Sequence, residues 1–145
     1  MQSKFFIATA AGLVSGLLFV ASTKGHIAGL MGLVFLTALP IAWVGFSWGW
    51  LLSAIATATT FGFLTLTGSL YAGLSHLLLF GLPATGAVRL LLLNRSYTSV
   101  SGREDVEWYP VGRVLFWIAL ASGFVALATL LSVGSSTAEI GRAHV

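Results

Sequence analysis

Five apolar stretches, residues 5–22, 27–46, 50–66, 70–93 and 111–133, occupy most of this chain of 145 residues. Each reaches or approaches the roughly 20 helical residues needed to cross about 30 Å of hydrocarbon. That repetition restricts the fold to an all-α, polytopic transmembrane helical bundle with five transmembrane segments in a single integral membrane domain, residues 1–138. Composition agrees: 57% of residues are hydrophobic, 8% are charged and the mean hydropathy is +0.98, against about one-quarter charged in a soluble domain.

The formal charge of +3 rests on seven basic residues that stand at segment ends, so it orients a membrane protein and does not mark a nucleic-acid binder. Lys4, Arg95 and Arg103, with Arg89 and Arg113 close by, fall on one side of a five-segment arrangement, and Lys24 alone falls on the other. The amino terminus and the polar loop 94–110 are therefore expected to face the cytoplasm. Cysteine is absent, which excludes disulfides, thiol catalysis, iron-sulfur clusters and cysteine-rich zinc sites.

Segment 5–22 resembles a signal peptide, with Val20-Ala21-Ser22 as a cleavage site, but four later apolar segments make an uncleaved first helix more economical. Ala8, Gly12 and Gly16 line one of its faces as a groove for a neighbouring helix, within the chain or on another membrane subunit. Segments 27–46 and 70–93 each carry an internal proline. Pro40 is expected to break its helix near Leu36 to Leu39, and Pro83 to interrupt the other at Gly81-Leu82-Pro83. Paired interruptions of this kind can mark a transporter's binding level. Ser53, Thr57 and Thr60 form a hydroxyl stripe suited to joining helices.

Two ionisable residues lie inside the fourth segment. His76 can be a neutral imidazole bonded to a neighbouring helix, and Arg89 can snorkel to the interface; their alternative is a polar network or ligand site shared with Glu107 and Arg113. Thirteen residues apart, His76 and Arg89 would share a site only if the Pro83 break rotated half the helix. Trp48, Trp50, Trp108 and Tyr109 are candidate interfacial anchors. No His-Glu-x-x-His, Gly-x-Ser-x-Gly or carboxylate pair occurs in the apolar segments, and Ser75 and His76 point to different faces, so no catalytic residue, metal site or cofactor is expected.

Residues 107–113, Glu-Trp-Tyr-Pro-Val-Gly-Arg, concentrate charge, aromatic rings and a proline at the doorstep of segment five. With Gly81-Leu82-Pro83-Ala84 and the following Arg89, this run resembles the bacterial YybS-like membrane proteins, in the branch seen in alphaproteobacteria. The resemblance covers most of Ala11 to Leu131. It implies a helical layout similar to the substrate-binding membrane subunits of energy-coupling-factor vitamin transporters, and so a solute-binding or permease-like subunit. Arg89, Arg113 and the half-helix start at Pro83 would then favour a small anionic solute. A non-enzymatic membrane scaffold that binds a partner through the cytoplasmic loop is the other reading.

Members of that family are usually about twice this length. Ile140-Gly141-Arg142-Ala143-His144-Val145 also matches the translation of a common sequencing adapter. The chain is thus expected to be a fragment of a longer membrane protein with a non-native tail at 139–145, and Arg142 and His144 are kept out of every functional argument.

Overall fold

The computed structural model describes residues 2–24, 27–98 and 104–124. It is mostly helical, in two units: Met1–Pro110, and a second that begins at Val111 and contributes the helix Val111–Phe124. In the first unit the order is α1 (Gln2–Lys24), α2 (Ile27–Leu36), α3 (Ala38–Trp48), α4 (Trp50–Thr67), α5 (Leu70–His76), a π-helical turn (Leu77–Gly81) and α6 (Leu82–Leu91). Two short strands follow, β1 (Asn94–Thr98) and β2 (Glu104–Trp108).

Among the described residues, three helices are long and apolar enough to cross a membrane: Gln2–Thr23, Trp50–Thr67 and the run through the π-turn, Leu70–Leu91. The stretch Gly32–Trp48 and the helix Val111–Phe124 are shorter. Of the expected fifth segment, residues 125–133 lie outside the described residues, as does the tail 139–145.

Local chemistry accounts for the helix ends. Thr37 is a single-residue turn between α2 and α3: its N–H donates to the Val34 carbonyl at 3.2 Å and its hydroxyl to the same oxygen at 2.7 Å. Pro40 then falls in the first turn of α3, where a missing N–H leaves no helical bond unmade. Gly49 joins α3 to α4 at φ +101°, a conformation a side chain would resist. Ser69 caps α5 by accepting the Ala72 N–H at 3.1 Å, a cap worth about 1 kcal/mol.

Pro83 does not stop its helix. The Leu82 N–H reaches back five residues to the Leu77 carbonyl, which makes the turn before the proline π-helical. A widened turn moves the carbonyl one turn back away from the pyrrolidine ring, so the chain runs on from Leu70 to Leu91.

The strands add a short hairpin to an otherwise helical fold, within the stretch 94–110 expected as a polar loop. They pair antiparallel, with Asn94 opposite Trp108 and Arg95 opposite Glu107. The Tyr109 N–H donates to the Leu93 carbonyl at 2.9 Å, closing the ladder at the point where α6 ends. Tyr97, Thr98, Val106 and Trp108 are residue types favoured in strands, and the Tyr109–Leu93 bond adds a backbone tie at the helix end.

α4 is the centre of the first unit, packed against α1, α3, α5 and α6. The interior is small and polar, with Ser15, Ser22, Thr37, Ser53, Thr57, Thr60 and His76 buried beside Ala8, Ile41, Ala56 and Val88. Large apolar side chains point outward, among them Phe35, Trp43 and Leu66, which is 88% exposed. Water would drive the opposite arrangement; lipid permits this one, since close contact between small residues and hydroxyl bonding hold membrane helices together.

Candidate functional site

α1 and α4 approach most closely where α1 lacks side chains. A Cβ on Gly12 would run into the Ala56 carbonyl and lie 2.8 Å from the Thr59 Cβ, and one on Gly16 would lie 2.6 Å from the Phe63 ring. The Thr60 hydroxyl donates across this contact to the Gly12 carbonyl at 2.7 Å. Ala8 is fully buried as well. The Ala8, Gly12, Gly16 face thus packs against α4 of the same chain, the neighbouring helix within the chain that its small residues suit.

The remaining hydroxyls of the α4 stripe reach α6. Thr85 Oγ1 lies 2.9 Å from Thr57 Oγ1 and 3.3 Å from Ser53 Oγ. One turn of α4 therefore bonds toward α1 and the preceding turns toward α6.

A second polar cluster forms where the Thr37 turn and the start of the π-turn meet α1. His76, fully buried, ends α5 at the start of the π-turn. Its Nε2 lies 3.2 Å from Ser15 Oγ, and that hydroxyl donates to the Thr37 carbonyl at 2.6 Å, at the α2–α3 turn. Phe19 packs edge-on to the imidazole with ring centroids 5.1 Å apart, and Phe80 lies 5.6 Å away at a tilt of 41°. His76 Nδ1 is buried without a hydrogen-bond partner among the described residues.

Arg89 is elsewhere. Its guanidinium carbon sits 4.8 Å from the centroid of the Trp50 ring, a cation–π contact at the α3–α4 end of the bundle. Thirteen residues of continuous helix put it about 20 Å along the axis from His76, so the two do not share a site. Both Trp48 and Trp50 are more than a third exposed at that same end. Glu107 and Trp108 are exposed on β2, and Tyr109 is half-buried. Arg113 is exposed on the helix of the second unit. Within the first unit His76 is therefore built into the interior while Arg89 and Glu107 are exposed.

Ser15, Thr37 and Thr85, which bond these clusters together, were not singled out by motif. One signal for Ser15 was present: Ala8, Ser15 and Ser22 recur every seven residues and all three are buried. Such spacing keeps small residues on one helical face. Among the described residues no group of three or more His, Cys, Asp or Glu could hold a metal ion. No protein-family model matches the chain, and no curated protein or solved structure matches it either.

Proposed function

We propose that this chain is an integral membrane packing and assembly module, a non-enzymatic scaffold of the bacterial cytoplasmic membrane that meets its partner through the β-hairpin. One observation carries the reading. Arg89 rests on Trp50 at the end of the bundle, about 20 Å along the helix from His76, so the intramembrane polar groups join helices and the charges gather outside. The hairpin presents Arg95 and Glu107 opposite one another, beside α6 and at the same end as Arg89. With the positive residues concentrated there, this end is the cytoplasmic one under the positive-inside rule. Membership of the YybS-like membrane proteins is part of this proposal and rests on the Glu107–Arg113 run.

A solute-binding or permease-like transporter subunit is the second reading, favoured by the meeting of the Thr37 turn and the π-turn at His76. Interrupted helices at membrane depth are a recurring device of transport sites.

Purification in native lipids, after photo-crosslinking from position 96 of the hairpin, separates the two. A ligand-free preparation with a partner crosslinked at the hairpin supports the scaffold. Recovery of an ATPase-containing complex, or of a small molecule bound in stoichiometric amount, overturns it in favour of transport.

A further inference from the structure

α4 packs against α1 on one side and against the π-turn and α6 on another, and open hollows flank it on both. The larger, about 540 Å³, lies between the starts of α1 and α4 and is lined by Lys4, Phe5, Trp48, Leu51, Ala54 and Ala58. A smaller one of about 270 Å³ shares Ala54 and Ala58 and reaches Phe61, Leu77 and Leu82 across to α6. The two adjoin over these alanines as one trough. From Leu51 to Phe61 is ten residues of helix, about 15 Å, or half of the roughly 30 Å hydrocarbon core. The trough is thus one leaflet deep.

Only one end of it carries charge. α1 and α4 run in the same direction, since a side chain on Gly12 would meet Ala56 and one on Gly16 would meet Phe63. Two turns before Gly12, Lys4 therefore stands level with the first turn of α4, exposed beside Trp48. Below that level the lining is apolar apart from Thr57 and Thr85, whose hydroxyls bond each other at 2.9 Å. No Asp or Glu occurs in α1, α3, α4 or α6, so the elements around the trough supply no carboxylate for the Lys4 ammonium.

From this layout we propose that the trough is a binding site for an anionic phospholipid, with the phosphate on Lys4 and one acyl chain lying along Ala54 and Ala58. The inference goes beyond the scaffold reading and needs only that the bundle sit in a bilayer. Charge selects the occupant. A net-negative headgroup gives the lysine a counter-ion that a zwitterionic one largely neutralises within itself, and the lysine stem can reach to headgroup depth, where Trp48 also suits. A helix of the same chain is the poorer fit: Val111–Phe124 contains Arg113 and no acid, and the acids of the chain, Glu104, Asp105, Glu107 and Glu139, all lie outside its apolar segments.

Photo-crosslinking identifies the occupant. The full chain carrying photo-leucine in place of Leu51, in the trough, or of Leu39, exposed on α3 and outside it, is reconstituted in bilayers of equal parts phosphatidylglycerol and phosphatidylcholine. After irradiation the adducts are identified by mass spectrometry. Phosphatidylglycerol adducts should exceed phosphatidylcholine adducts by about fivefold at position 51, the factor that one lysine contributes near an anionic surface, and the two should be nearly equal at position 39. Lys4→Gln should abolish the preference and Lys4→Arg should keep it, while Lys24→Gln, at the far end of the same helix, should leave it unchanged. Equal or absent phosphatidylglycerol adducts at position 51 overturn the proposal, as does a preference that survives Lys4→Gln. Adducts from position 51 to residues 111–133, or to a second copy of the chain, also overturn it, because a helix then fills the trough.

Discussion

At the scale of single residues, the α1–α4 seam is decided by what Gly12 lacks and what Thr60 supplies. Gly12→Ala would push a methyl group against the Ala56 carbonyl and the Thr59 side chain. Overpacking of this kind costs about 1–3 kcal/mol. Gly62→Ala, on α4 with nothing within 4 Å of the new methyl, should instead be neutral or gain up to about 1 kcal/mol from helix propensity. Steric-trap unfolding in bilayers measures both, and equal effects at the two positions would sink the packing account. Thr60→Val removes the bond to the Gly12 carbonyl and should cost about 0.6 kcal/mol, with about 1.7 as the ceiling. The Ser53, Thr57, Thr60 stripe was legible from its i, i+4, i+7 spacing because helical period alone sets which residues share a face. Its partners were not. Thr60 and Gly12 are 48 positions apart, and no local pattern in an apolar chain encodes which distant carbonyl a threonine meets.

Elements behave differently according to whether proline or backbone closure shapes them. Both proline interruptions were readable, since proline constrains any helix that contains it, yet their outcomes diverge. Pro40 is preceded by a true break at Thr37, whereas Pro83 is absorbed by one extra residue in the turn Leu77–Gly81. Deleting Leu79, exposed on that turn, together with Pro83→Ala should convert the turn to ordinary α-helix and keep His76 and Thr85 on their present faces. Deleting Ala58 from α4 should not be tolerated: it rotates everything beyond it by about 100° and carries Thr60 and Leu64 out of the interior. Thermal unfolding in detergent should therefore find the first variant folded and the second not, and the reverse order would refute the π-turn assignment. The hairpin was illegible for a physical reason. Its strands are five residues each and alternate apolar with polar only at Val106-Glu107-Trp108, too short a run to set apart from a polar loop, and the Tyr109–Leu93 bond beside them is between backbone groups. Arg95→Glu would set like charges opposite each other at the Glu107 register, costing about 0.2–1 kcal/mol, and Glu107→Arg on that background should restore it. Amide exchange at Tyr109 reports both steps.

For the first unit as a whole, the inverted distribution of polarity and the clustering of charge lead to one testable topology. Lys4 and Phe5 line a shallow groove with Trp48 and Leu51, which puts the start of α1 beside the α3–α4 turn. Arg89 on Trp50 puts the end of α6 there too, and the hairpin follows within three residues. Ser69, between α4 and α5, is separated from that end by the 18 residues of α4, about 27 Å of helix and close to the thickness of a hydrocarbon core. The chain contains no cysteine, so single cysteines report position without background. In oriented membrane vesicles a membrane-impermeant maleimide should label Ser3→Cys and Ser96→Cys from one face and Ser69→Cys from the other. Labelling of positions 3 and 96 from opposite faces would break the arrangement of α1 against α4 and α6, because an even number of crossings between those positions is what brings both to the same end. If positions 3 and 96 label from the cytoplasmic face, the hairpin stands where a scaffold's partner can reach it; if both label from the outside, the bundle is intact but the positive-inside orientation, and the cytoplasmic partner with it, is wrong.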